Sequence, residues 1–471
     1  MAKHMHTSLD RLQKVLQRTA SAAYAEARYH SRIRNEIAVG NGEVEEAKST
    51  RVEGVGFRVL VDGAWGFSST NDTSTQAMLD ALKDALDMAK ISATAKKEKV
   101  TGLAEAELAK GVFRPPINDP LENHSLEEKM KLVTETEKTT RQHFDIVKTA
   151  ACSYREIIDH KLITTTDGAA AEVFDSKPEF RVTAIASRNG DRVSATETVG
   201  VTGGWRDLFD KRGSEEMSKR AAETAKKLLD AKHPKGERAK VILDPGMVGL
   251  ISHEAVGHTV EADFVLSGSI VKGKMSETVA SSLVTLVDSG RSDIVGAAAG
   301  TVLVDDEGVP AGRTVIIKDG VLESYIHSRE TAAEFGVEPT GNARAFEYSD
   351  EPIIRMRNTY IEPGDYELDE MIGEGDHGYL LKGPRSGQAD ANGEFMFGAQ
   401  EAYLIEKGEV KDLLRGVTIS GRAFDVLQTV DALGRDFAYD IGAGYCGKRQ
   451  LAKVDGGGPY LRCVALIGGV Q

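Results

Sequence analysis

From Ala239 to the C-terminus the chain is written in short apolar, β-branched runs cut by glycine: VILDPG, TVLVDDEG, RTVIIKDG, EAYLIEKGEV and VALIGG. With few long helical stretches among them, residues 239–471 read as one β-rich domain. The exception is a stretch of helical character from Gly246 to about His258, which also carries the candidate chemistry of the chain.

Upstream of Ala239 helices and strands alternate. A first helix is predicted from Ser8 to about Ala23, with Leu9, Leu12, Val15 and Leu16 at helical spacing. Asp62-Gly63, between the strand-like runs Phe57–Val61 and Ala64–Phe67, is the signature of a type I′ hairpin turn. The preceding GVGFRV imitates a phosphate loop, but it lacks the third glycine and runs into a strand where such loops open a helix. A second helix is predicted from Thr75 to Lys90, burying Met78, Leu79, Leu82 and Leu86. The Lys-rich sequence around Ala95–Val100 and the pair Pro115-Pro116 place a boundary near 95–115. Beyond it, Ser125 and Glu128 form a capping box, and strands alternate with turns at Asp167-Gly168 and Asn189-Gly190. A further helix, from Ser214 to Lys232, has glutamates in its first turn and lysines in its last, as its dipole favours. The expected fold is therefore α+β. An N-terminal α/β domain (1–100) and a middle α/β domain (115–232), with helices packed on antiparallel sheets, precede the β-rich domain (239–471).

Charge excludes one class of function. With 59 Lys and Arg against 73 Asp and Glu, the net charge of −14 opposes the counterion release on which phosphate-backbone binding depends, so nucleic acid is not an expected partner. Stretches of about 20 apolar residues are absent, and the opening MAKHMHTSLDRLQ lacks the apolar centre of a signal peptide, so the expected location is the cytoplasm. Three cysteines cannot form a disulfide framework. Cys152 in TAACSY and Cys463 in LRCVALI read as core residues, whereas Cys446 in GAGYCGK lies in a glycine-rich loop where a thiol gains little by packing.

The segment His253-Glu254-Ala255-Val256-Gly257-His258 is the most informative in the chain. Two imidazoles four residues apart on a helix lie about 40° from alignment and readily share a metal; five apart, as here, they diverge by about 140°. A shared metal then requires a π-type widening or a helix that ends within the motif, and Gly257 is the residue expected to ease the departure. The competing reading is a pair of surface or capping histidines. A catalytic zinc takes three protein ligands, and the candidates for the third are His327, His377, Cys446, Glu261 and Asp263. Cys446, 188 residues after His258, is favoured on local grounds, because a thiolate suits zinc and its glycine neighbours permit close approach.

HEAVGH followed far downstream by GAGYCGK resembles the TldD branch of the TldD/PmbA peptidases, formerly named modulators of DNA gyrase. The resemblance extends to GVGFRVLVDGAWGFSSTN, LVDDEGVPAGR, MRNTYIEPGD and GEFMFGAQEAYLIEKGEV, in family order across essentially the whole chain. It implies that His253, His258 and Cys446 hold Zn2+ and that Glu254 activates the water on the metal. It also implies a peptidase for short or unfolded peptides, and dimers enclosing an internal cleft, either homodimers or heterodimers with a metal-lacking PmbA/TldE-type paralogue. His327, Tyr403, Tyr439 and Tyr445 are candidates to stabilise the oxyanion. Two other readings stand beside this one: a non-enzymatic subunit of such a complex, and a metal hydrolase of a non-peptide amide.

Overall fold

Strands of 17 to 19 residues dominate the N-terminal half of the computed structural model, which describes residues 8–19, 22–390 and 392–469, with the backbone alone at Ser386. β1 (Tyr24–Gly40), β2 (Glu43–Val61) and β3 (Ala64–Thr70) form an antiparallel meander, and the β2–β3 turn has Asp62 at φ 47° and Gly63 at φ 75°, the predicted I′ geometry. β4 (Lys110–Phe113) runs parallel to β6 (Ala170–Arg188), which pairs with β5 (Val147–Thr165) and β7 (Asp191–Gly200). β1 and β5 pair from Glu26↔Thr165 to Gly40↔Ala151, so both N-terminal segments contribute to one seven-stranded sheet in the order β3-β2-β1-β5-β6-β4, with β7 on β6. GVGFRV lies inside β2, where Gly54 and Gly56 leave room for Tyr348; a Cβ at Gly54 would stand 2.5 Å from its ring.

Helices cover the two ends of this sheet. α1 (Leu9–Leu16) and α2 (Thr75–Ala95) pack on β1 and β2, while α3 (Leu126–Gln142), α4 (Trp205–Lys211) and α5 (Ser214–Leu229) pack on β5–β7. Their termini correct three expectations. α1 stops at Leu16, well before Ala23, because the Thr19 hydroxyl donates to the Leu16 carbonyl at 2.6 Å and closes the turn; Ala20 and Ser21 lie outside the described residues. α2 continues past Lys90 to Ala95, since no Gly or Pro interrupts it, and it buries Met78, Ala81, Leu82, Ala85 and Ala89, leaving Leu79 and Leu86 half-buried. α5 ends at Leu229, because Lys232 has turned into a parallel bridge with Leu414. The capping box at Ser125 forms as expected, with Ser125 Oγ accepting from the Glu128 N–H at 3.2 Å and Glu128 Oε2 from the Ser125 N–H at 2.8 Å.

The C-terminal half is the β-rich domain the glycine-cut runs predict. β8 (Glu237–Leu243) and the strands His377–Ala389, Glu394–Glu406, Val417–Arg422 and Asp455–Gly469 pair in sequence, and the last returns to β8, closing a five-stranded barrel. The sheet continues from Asp455–Gly469 through Asn358–Ile361 to β9 (Leu286–Ser289), β10 (Arg313–Lys318) and β11 (Val321–Leu322). Residues from the helix beginning at Pro245 share one apolar core with Leu381, Phe397, Ile419 and Leu461 of the barrel. Ion pairs, buried or nearly so, join the two halves: Arg58 to Glu307 at 2.7 Å, the half-buried Lys161 to Asp306 at 2.9 Å, and Lys453 to Glu179. Among the described residues no helix is long and apolar enough to cross a membrane.

Candidate metal centre

Asp244 opens the site. Its carboxylate accepts from the Met247 N–H at 2.9 Å and so caps α6 (Pro245–Leu250), with Pro245 in the first helical turn. Beyond Leu250 the helix widens into a π segment, Ile251–Val256, and then tightens into a 3-10 turn, Gly257–Val260. The Gly257 N–H reaches back five residues to the Ser252 carbonyl as well as to His253. This is the irregularity that the five-residue histidine spacing demands.

The reason for the glycine differs from the expectation. Gly257 has φ −55° and ψ −47°, an ordinary helical conformation, so conformational freedom is not what it supplies. A Cβ there would lie 1.9 Å from Met356 Sδ, so the position is small because the buried Met356 side chain occupies the space.

The widened turn brings His253 and His258 together, with ring centroids 5.3 Å apart and planes at 82°. Cys446 joins them from the hairpin of Tyr445–Lys448 and Gln450–Lys453, with Sγ 3.2 Å from His258 Nε2. One donor atom from each of His253, His258 and Cys446 lies within 4.8 Å of the others. His253 is 1% exposed, yet neither of its ring nitrogens meets a hydrogen-bonding partner among the described residues. Two imidazoles and a thiolate around orphaned, buried nitrogens fit a zinc-like cation, for which three such ligands are the usual catalytic set.

Electrostatics agree with that fit. Burial pushes the Cys446 thiol up, but His253 and His258 beside it override burial and bring its pKa down to about 4. Burial opposes charge on His258 too, yet Cys446 and Glu261 raise it to about 10. Each of the two side chains favours the charged form of the other, and a cation taking the Nε2 position would displace a proton.

The other sequence candidates do not join the three donors. Cys152 and Cys463 are buried in the apolar cores, where burial pushes both thiols far up. His327 sits among Tyr325 and Phe335, with Nδ1 3.2 Å from the Thr331 hydroxyl, and burial lowers its pKa to about 4. His377 pairs with Glu237 at 2.9 Å, and Asp263 with Lys448 at 2.7 Å. Glu261 is at the site, but it accepts from His258 Nδ1 at 2.9 Å and does not join the three donors. Tyr403 donates to Glu401, Tyr439 is buried against Tyr360 and Phe437, and Tyr445 lies under the Lys453 ammonium; neither these tyrosines nor His327 line the cleft.

That cleft has a volume of about 720 Å³ and is walled by Glu254, His258, Asp263, Phe264, Lys448 and Arg449 among others. Glu254 is half-exposed in it, with Oε2 3.6 Å from His258 Nε2. Lys448 is a residue that the motif argument missed; only its place two residues after Cys446 could have drawn attention to it.

Comparison with known proteins agrees over the whole length. Residues 25–89, 119–229 and 236–466 match the PmbA/TldA metallopeptidase domain 1, central domain and C-terminal domain, respectively. The chain is 36% identical to a metalloprotease of Methanocaldococcus jannaschii, over 98% of this chain and 99% of that one. It is 34% identical to a metalloprotease of Methanothermobacter thermautotrophicus, over 95% of each chain, and 28% identical to the zinc metalloprotease TldD homolog of Saccharolobus solfataricus, over 95% and 97%. The fold is shared with TldE of Thermococcus kodakarensis, at TM-score 0.78 and 19% identity over 98% of this chain and 99% of that one. It is also shared with a Thermotoga maritima protein described as a candidate modulator of a DNA gyrase, at TM-score 0.79 and 23% identity over 98% of this chain and 99% of that one. With all three domain descriptions matched in order, the chain belongs to the TldD/PmbA metallopeptidase family.

Proposed function

We propose that this chain is a zinc-dependent peptidase of the TldD branch that hydrolyses short or unfolded peptides, with His253, His258 and Cys446 as metal ligands and Glu254 as catalytic base. One observation carries the reading: two imidazoles and a thiolate, the latter 188 residues from His258, converge beside a carboxylate in the wall of a large cleft. Bound zinc supplies Lewis acidity, polarising a scissile carbonyl and lowering the pKa of a water. Glu254, facing the cleft, takes the water's proton and hands it to the leaving amine. The apolar packing of Ile251, Ala255 and Val256 holds the widened helix in place.

A peptide substrate is supported by a free sheet edge. The strand His377–Ala389 pairs with β8 over Gly378–Leu381, so among the described residues, 384–389 pair with no strand on that side, and Ala389 lines the cleft. An extended chain laid there gains main-chain hydrogen bonds with little regard for its sequence. By family likeness we also propose a cytoplasmic dimer, formed with a second copy or with a metal-lacking PmbA/TldE-type paralogue; light scattering checks the assembly.

The experiment is digestion of a peptide mixture by the purified protein, read by mass spectrometry, with and without chelator. Cleavage that a chelator abolishes and zinc restores is the expected result. Peptides left intact under both conditions, with one zinc bound per chain, would favour the non-peptide amide hydrolase; a chain that binds no metal would favour the non-enzymatic subunit.

A further inference from the structure

A histidine that binds a metal through one ring nitrogen is set in place by what the other nitrogen meets, and at His258 that partner is Glu261. Its carboxylate is 0% exposed, and Oε2 lies 2.9 Å from His258 Nδ1. The same oxygen lies 3.2 Å from Lys448 Nζ, while Oε1 is buried without a partner among the described residues. Lys448 follows Cys446 by two residues in one strand, so both side chains leave the same face. Its ammonium, on a side chain only 9% exposed, also reaches Asp263 at 2.7 Å and the Ile354 carbonyl at 3.2 Å.

One carboxylate oxygen therefore touches both halves of the site: the ring of one proposed ligand and the strand that bears another. A carboxylate at full burial is costly unless charged partners hold it, and here both partners belong to the site. The hydrogen bond to Nδ1 fixes the rotation of the imidazole and holds the ring's remaining proton on Nδ1 when Nε2 gives up its own to a metal. The contact with Lys448 fixes how far the Cys446 strand stands from that ring. We propose that Glu261 is a positioning residue that registers the two parts of the metal site, acting on His258 directly and on Cys446 through Lys448. The proposal rests on the zinc reading above.

The test uses the full-length protein and its Glu261→Gln and Lys448→Met variants. Two quantities are read: zinc affinity, by competition with a chromophoric chelator, and the absorption spectrum after loading with cobalt(II). Glu261→Gln keeps the shape and removes the charge, and it is expected to weaken zinc binding about 10–100-fold, the usual consequence of losing such a partner. Lys448→Met leaves the contact between Glu261 and His258 in place, and it is expected to weaken the thiolate-to-cobalt charge-transfer band. A merely structural ion pair would leave that band unchanged once the protein is folded. Wild-type affinity and spectrum in Glu261→Gln, or an unchanged charge-transfer band in Lys448→Met, overturns the proposal. Should Glu261→Gln fail to fold, Lys448→Met decides alone, since that side chain stands at the cleft. A wild-type protein that takes up neither zinc nor cobalt would instead remove the metal reading beneath it.

Discussion

Three cysteines of one type meet three different surroundings, and only one surrounding changes what the thiol can do. Cys446, beside two imidazoles, is held as a thiolate, whereas Cys152 and Cys463 are held neutral by apolar burial. Cys446→Ser is therefore expected to lose most zinc, while Cys152→Ser and Cys463→Ser keep about one zinc per chain by elemental analysis; equal loss in all three would contradict the assignment. The histidines divide in the same way. His327 is buried without a counter-charge, so its pKa falls from 6.5 to about 4. The unfolded chain takes up a proton that the folded chain refuses, so stability is lost as pH falls from about 6.5 toward 4. By pH 5 this histidine alone costs about 2 kcal/mol. His327→Gln should shrink the pH 7 to pH 5 loss of unfolding free energy by that amount, as read by denaturant titration, and an unchanged loss would exclude His327 as its source.

At the level of elements, the helix of the metal motif shows what was legible and what was not. Five-residue spacing on a helix has a definite angular consequence, so the need for a widened turn could be read from the sequence; the π segment Ile251–Val256 meets it. The cause of Gly257 could not be read, because Met356, 99 positions on, supplies the contact and nothing local marks it. Alanine at 257 would gain about 1 kcal/mol of helix propensity but meets Met356, and overpacking of this kind typically costs about 1–3 kcal/mol. Gly257→Ala should therefore be net destabilising, and Gly257→Ala with Met356→Ala should cost less than the two single changes added, by roughly 0.5–3 kcal/mol. Strict additivity in the double-mutant cycle would contradict the contact. Turns and caps at Asp62-Gly63 and Ser125 were legible because short-range geometry decides them. Helix ends at Ala95 and Leu229 were not, since a missing breaker or a distant pairing such as Lys232 with Leu414 decides them, and the end at Leu16 turns on one Thr19 side-chain contact that apolar periodicity does not mark.

Across the whole molecule, the sheet of the N-terminal half and the barrel of the C-terminal half are tied by charges that neither half alone explains. Arg58 on β2 donates to Glu26 on β1 and to Glu307 in LVDDEG, all three buried, and stacks over Trp65 at 4.2 Å. Arg58→Met leaves two buried carboxylates without their common partner, which is expected to lower stability by about 3–5 kcal/mol in denaturant unfolding; a loss below about 1 kcal/mol would contradict the account of this junction. Such long-range pairs are invisible to periodicity, as was the meeting of Cys446 with His258, which the sequence supports only through family likeness. The fold thus joins residues from distant parts of the chain so that Glu254 faces a cleft beside a site fit for a metal. The most direct test of that claim is zinc content and peptide hydrolysis measured on the same preparation of Glu254→Gln. The account predicts one zinc per chain with turnover lowered by roughly 10²–10⁴-fold, because the amide keeps the shape but cannot accept a proton. Full metal with wild-type turnover would contradict it.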